Sequence, residues 1–408
     1  MHHLDIVLFT VLAFAYGLVS KRLNGTALTL PILALVMGFV VGPFGFDVSH
    51  LALEHGEEGY EVVRLLAEFT LALVLFNDAS GIDVRRLRTH LQLPARLLSL
   101  GLVMTVILGF LIGIPVFGDE LGLWEIALLA ALLAPTDAAL GQAVVTQESV
   151  PQDERTALNV ESGLNDGIAV PLVAALMVCS VGNSEGASGD YGWIVYAVKA
   201  IAFGVLAGIA FGWIASKLLD FAHSRGCMEE GAGRVAVAAV PVGAFFATES
   251  IGGSGFLAAF IAGLTVGACL RTLPRSTFDF TENTTEMLSI LTWTIFGITA
   301  APAALEHLTP RTITYAVLSL TVIRMLPVAL ALRGTGLSWP AKLFLGWFGP
   351  RGLASVVFAV AVLTEEGLAG KEQIFGVAVW TVILSVLLHG MSAGWLARRY
   401  GRYAASSS

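Results

Sequence analysis

The chain predicts an all-α, polytopic membrane protein, and three features say so. Only 13% of its 408 residues are charged and 56% are hydrophobic, where soluble domains carry roughly 25% charge. The apolar residues gather in runs about twenty residues long, enough for a helix to cross the hydrocarbon core and about twice what a barrel strand needs. Forty-four glycines suit helices that pack closely in lipid. Thirteen transmembrane helices are expected, at 4–20, 27–46, 62–79, 94–117, 123–146, 156–181, 193–218, 234–251, 254–271, 283–302, 312–333, 340–363 and 372–398.

In chain order, the first run follows Met1-His-His-Leu-Asp5. That start has no basic stretch and no small-residue cleavage site, so the run reads as a retained span. The second, at 30–42, shares its pattern of small and branched residues with the ninth, at 255–267. An offset of seven spans is odd and turns the second copy upside down, which predicts two inverted repeats of six helices. The third carries Glu68 and closes on Leu75-Phe-Asn-Asp-Ala-Ser80. The fifth is interrupted at Ala134-Pro135-Thr136-Asp137 and the twelfth at Gly349-Pro350-Arg351-Gly352, each a helix breaker beside a charge. Freed backbone groups are tolerated in a bilayer only where they line a cavity or bind an ion. Crossed, discontinuous helices in matching places of inverted halves mark a site between them.

The sixth span holds the densest polar run, Glu161-Ser-Gly-Leu-Asn165-Asp166-Gly167. Helical spacing sets Ser162 with Asp166 on one face and Glu161 with Asn165 on the next. The eleventh carries Arg324 within Thr321-Val-Ile-Arg-Met-Leu-Pro327, and the last carries His389. The tail 403–408 is expected to be disordered.

Orientation follows from the bases. With the amino terminus outside, seventeen Lys and Arg fall on cytoplasmic loops, including Arg85, Arg86, Arg88 and Arg96, against three outside, Arg64, Arg311 and Lys371. This asymmetry puts the carboxyl terminus in the cytoplasm. The outer loops are acidic, with Glu54, Glu57, Glu58, Glu61, Asp119 and Glu120. The bases are spread singly with no interleaved aromatics, which excludes nucleic acid as a partner. Cys179, Cys227 and Cys269 have no metal-ligand spacing and read as packing residues.

Buried carboxylates in a membrane handle charge. Asp166, Asp137, the hydroxyls of Ser162 and Thr136, and a freed carbonyl at the fifth-span break form a hard-oxygen set suited to dehydrated Na⁺ or Li⁺. Burial favours the protonated carboxyl and a bound cation the ionised one. Proton and cation then compete for the same oxygens, and competition gives exchange. Asp137 and Arg351 are suited to neutralising the helix ends at the two breaks. Arg324 needs a buried partner, for which Glu161 is the candidate, and Glu68 is expected to hold Asn165. His389 reads as a packed, hydrogen-bonded residue. Lys199 and Glu249 are expected to snorkel or pair locally, and Asp78 to lie with Asp83 at the cytoplasmic end of its span.

These residues resemble the cation/proton antiporter superfamily, in its Asn-Asp, NhaP-like branch of sodium/proton exchangers. The carriers are the 75–80 run, Pro135-Thr-Asp137, the 161–167 run, Arg324-Met-Leu-Pro327, Gly349-Pro-Arg-Gly-Leu-Ala-Ser355 and Ser385-Val-Leu-Leu-His-Gly390. The resemblance implies a homodimer with a dimerisation domain at 1–79 and 234–302 and a mobile ion-transport core at 94–181 and 312–398. It makes 193–218 the linker helix and 399–408 a short cytoplasmic tail. Asp166 would carry cation or proton, Glu161 would pair with Arg324, and Asn165 in place of a second Asp implies electroneutral one-for-one exchange. The expected partners are lipid, a monovalent cation and the proton, with no cofactor and no enzymatic chemistry. A K⁺/H⁺ antiporter of the same fold is the alternative, and a sodium-coupled organic-anion symporter the alternative from another class. An intramembrane aspartyl protease using Asp137 and Asp166 lacks its Gly-x-Gly-Asp pattern.

Overall fold

A computed structural model describes residues 2–23, 29–43, 57–82, 92–137, 140, 144, 147–182 and 192–407. Its elements are helices, with no strand among the described residues. The first half comprises α1 (His2–Leu23), α2 (Leu30–Val41), α3 (Glu57–Ser80), α4 (Gln92–Phe117), α5 (Leu123–Leu132) and α6 (Gln152–Gly182). After α7 (Gly192–Ser224) come α8 (Glu230–Glu249), α9 (Gly255–Cys269), α10 (Asp279–Ala303) and α11 (Pro310–Ala331). The chain ends with α12 (Trp339–Trp347), α13 (Leu353–Thr364) and α14 (Lys371–Ser407). Seven described helices are long and apolar enough to cross a membrane, among them α4, α6, α7 and α14. The twelfth predicted span is two short helices, α12 and α13, separated by 348–352.

The helices present apolar side chains outward, and the mostly apolar interior also buries charge. Leu100, Val103, Ile107 and Leu111 of α4 and Leu206, Trp213 and Leu218 of α7 are exposed, whereas Asp137, Glu161, Asp166, Arg324 and Arg351 are buried. An apolar exterior with charge kept inside is what a lipid surround demands. α2 packs on α10, and α9 on α3, α7 and α8; α5 packs on α4 and α6, and α14 on α11 and α13. The close approaches use small residues: a side chain at Gly208 or Gly212 of α7 would collide with the α9 carbonyls of Ala258 or Ala262.

Several helices overrun their apolar stretches, because hydropathy reports the lipid-embedded part and hydrogen bonding continues past it. Glu57, Glu58 and Glu61, read as loop, belong to α3. The tail, expected disordered, is helical through Ser407, held where Tyr400 stacks on Phe344 with ring centroids 4.2 Å apart. Two backbone features carry no signal in the hydropathy pattern, a π-helical turn over Leu97–Gly101 in α4 and a break in α11 at Thr321 (φ −114°, ψ −93°). Cys227 is exposed between α7 and α8 and is not the packing residue expected. Glu54, Asp83, Arg85, Arg86 and Arg88 lie outside the described residues.

Candidate functional site

Two interrupted spans meet where each is broken. α5 ends at Leu132 because Pro135 has no N–H to continue the ladder, and Thr136 and Asp137 follow as non-helical chain. α12 ends at Trp347, and Gly349-Pro350 holds the chain out of helix until α13 starts at Leu353. The Asp137 N–H donates to the Pro350 carbonyl at 2.8 Å, joining the two breaks backbone to backbone. A side chain on Gly352 would occupy the volume of the Asp137 carboxylate.

The charges answer one another across this crossing. Asp137 Oδ2 accepts from the Leu353 N–H at 3.1 Å, placing a carboxylate at the positive N-terminus of α13. Arg351 Nη1 donates to the Ala134 and Pro135 carbonyls at 2.9 and 3.2 Å, placing a guanidinium at the negative end of α5. Its Nη2 reaches the Ser319 carbonyl at 3.4 Å, next to the α11 break. The Ser355 hydroxyl donates to the Leu132 carbonyl at 2.9 Å. Helix-end groups that would be orphaned in a bilayer thus find partners across the crossing.

α6 lies against the α5 break. Asn165, fully buried, donates from Nδ2 to Thr136 Oγ1 at 2.7 Å and accepts from the Thr136 N–H at 3.2 Å. The Ser162 and Thr136 hydroxyls are 3.1 Å apart. Asp166 is 3% exposed, and its Oδ1 accepts no hydrogen bond from the described residues. Asp137 and Asp78 both lie within electrostatic range of it. On the neighbouring face, Glu161 takes Arg324 in a two-point pair, Nη1 to Oε1 at 2.6 Å and Nη2 to Oε2 at 2.7 Å, with both side chains about 1% exposed. Gly163 and Gly167 let α6 close on Phe260 and Leu257 of α9, and the Ser254 hydroxyl donates to the Gly167 carbonyl at 3.1 Å.

Thr136, Asp137, Ser162, Asn165, Asp166 and Arg351 therefore converge, with Glu161 and Arg324 on the adjoining face of α6. Glu68 does not hold Asn165. It pairs with Arg64 one turn away at 2.7 Å, while Thr136 uses the Asn165 amide; a local partner at helical spacing competes well against one on another helix. Glu249 accepts from the Gly255 N–H at 2.7 Å and caps α9. Asp78 is within electrostatic range of Asp137 and Glu282. Ser355 and Ser385, which the sequence marks only as ends of runs that carry the family resemblance, finish the crossing, together with the Ser319 carbonyl, which no motif marks. Ser385 was within reach, since it stands one helical turn before His389.

The sodium/hydrogen exchanger transmembrane family model matches residues 8–399. The chain belongs to that family. Its members exchange a monovalent cation for a proton across a membrane, and this chain is a multi-pass antiporter, not an enzyme. It is 24% identical over 394 residues to the K⁺/H⁺ antiporter NhaP2 of Shewanella oneidensis, covering 94% of the chain and 67% of the relative. It is 26% identical over 400 residues to the K⁺/H⁺ antiporter NhaP of Alkalimonas amylolytica, covering 96% and 65%. The chain spans about two thirds of the length of these antiporters. The fold matches the sodium/proton antiporter MjNhaP1 of Methanocaldococcus jannaschii at TM-score 0.76 and 19% identity, covering 97% of each chain.

Proposed function

We propose that this antiporter exchanges Na⁺ or Li⁺ for H⁺, one for one, at Asp166. The observation that carries the reading is a buried carboxylate with an oxygen that takes no hydrogen bond from the described residues, one helical turn from a serine hydroxyl that meets Thr136. Asp166, Asp137, Ser162 and Thr136 supply hard oxygens for a partly dehydrated alkali cation. Without the cation, a carboxylate in this surround takes a proton. Asn165 contributes an amide, which positions Thr136 and cannot titrate; with Asp137 committed to the N-terminus of α13, Asp166 carries the one exchangeable proton and the exchange is electroneutral.

Alternating access would move the core at 94–181 and 312–398 against a dimerisation domain at 1–79 and 234–302, with 193–218 as linker, in a homodimer. The amino terminus lies outside and the carboxyl terminus in the cytoplasm on the seventeen-to-three base asymmetry. A second reading keeps the mechanism and makes K⁺ the cargo, favoured by the names of the Shewanella and Alkalimonas relatives. The test is dissipation of an imposed pH gradient in proteoliposomes on adding Na⁺, Li⁺ or K⁺, with the membrane potential clamped or free. Response to Na⁺ and Li⁺ that ignores potential supports the first reading; response to K⁺ alone selects the second; potential-dependent flux contradicts one-for-one exchange.

A further inference from the structure

The Ser385 to His389 turn of α14 carries a motif of the sequence to which the ion site gives no direct role. Both residues are buried, and His389 is 1% exposed. The Arg351 N–H, inside the break between α12 and α13, donates to Ser385 Oγ at 2.7 Å. That oxygen lies 3.2 Å from His389 Nδ1, and Nδ1 is also 3.0 Å from the Ser385 carbonyl. The imidazole packs on the ring of Trp347, the last residue of α12, with centroids 4.8 Å apart. Trp347 Nε1 donates to Ser392 Oγ at 3.0 Å, so α14 grips the break at two places, Ser385 and Ser392, about two turns apart.

We infer that Ser385 and His389 are positioning residues for the cation site: they set the placement of Arg351, whose guanidinium sets the Ala134 and Pro135 carbonyls and, through them, the oxygens of Thr136 and Asp137. The inference rests on the ion site being the one around Asp166. No contact of Ser385 or His389 with the cation is involved. Ser385 holds the Arg351 backbone, the ring holds the Ser385 hydroxyl in place, and the Arg351 side chain carries that placement 2.9 Å onward to the end of α5. A dehydrated cation needs several oxygens placed together, whereas one carboxylate suffices for a proton. Loosening the crossing therefore weakens cation binding selectively.

The experiment measures cation-driven proton flux in proteoliposomes for the wild type, Ser385→Ala, His389→Leu, His389→Gln and Asp166→Asn, using whichever of Na⁺ or K⁺ the wild type exchanges. Ser385→Ala and His389→Leu are expected to raise the cation KM about tenfold with the maximal rate retained, as loss of one buried hydrogen bond implies. Where proton and cation compete, the pH of half-maximal activity at fixed cation then moves up by about one unit. His389→Gln, whose amide can still bond Ser385, is expected to stay near the wild-type KM. Unchanged KM with loss only of maximal rate or of assembled protein would be a packing role and would overturn the inference. Should Ser385→Ala fail to accumulate, equal KM values in His389→Gln and His389→Leu would overturn it. Asp166→Asn separates the two readings, because activity surviving there removes the ion site itself, whatever the α14 variants do.

Discussion

Glu161 and Asp166 are two carboxylates buried on one helix, five residues apart, and their surroundings differ in one respect. Both oxygens of Glu161 are taken by the guanidinium of Arg324, whereas Asp166 keeps an oxygen with no hydrogen bond from the described residues. A buried charge with a fixed partner is structural, since its partner cannot leave. One without a fixed partner is suited to a mobile one, the proton or alkali cation proposed for Asp166. The same contrast separates the two breaks. The α12–α13 break uses Arg351 to satisfy carbonyls, while the α5 break presents Thr136 and Asp137 beside Asp166.

The largest expected effect is at Asp166, the carboxylate proposed to exchange. Asp166→Asn is expected to abolish cation-driven proton flux while the protein assembles and melts near the wild-type temperature, since an amide fits the volume and cannot titrate. Wild-type melting without flux sharpens the contrast; retained flux breaks it. At the fixed carboxylate the order reverses. Glu161→Gln is expected to destabilise the protein by about 3–5 kcal/mol by stranding Arg324, read as a lowered melting temperature in detergent. Replacing the pair with Glu161→Leu and Arg324→Met together should recover much of that loss.

Asp137 stands between these two cases, because it caps α13 and also faces Asp166. Asp137→Asn keeps an acceptor for the Leu353 N–H but loses the charge at a helix N-terminus, about 0.3–2 kcal/mol. It is expected to slow turnover with Asp166 intact, and full activity would contradict the compensation of the helix ends. The smallest effect is outside the membrane, where Arg311 bonds Asp119 at 2.8 Å and Glu120 at 2.7 Å. Hydrogen bonding to Arg311 holds the Asp119 carboxyl below its usual range. The stability this contributes is present above the ordinary carboxylate pKa and is lost as pH falls through the lowered one. Exposure and salt screening make it small. Arg311→Gln should leave flux and neutral-pH melting within error and shift only the acid limb of the melting curve.

Much of this was legible in the sequence because a bilayer makes polar residues informative. A proline beside an aspartate in an apolar run has few roles, and the two breaks with Asp166, Glu161 and Arg324 could be nominated from type and spacing. Distances between helices were less legible. Glu68 could reach either Arg64 or Asn165, and the sequence does not say that Thr136 stands closer to the amide. The Thr321 break in α11 is hidden because Thr and the nearby Pro327 also occur in intact membrane helices. The ends of α3 and α14 were misplaced because hydropathy stops where lipid stops and helices do not.

We propose competition of cation and proton for one set of oxygens around Asp166. Its most direct test is the cation KM of exchange in proteoliposomes across a pH series with the membrane potential clamped. Competition predicts that KM rises tenfold for each pH unit on the acid side while the maximal rate at saturating cation stays constant. A KM indifferent to pH, with the maximal rate falling instead, would place the proton at a separate group and contradict the account.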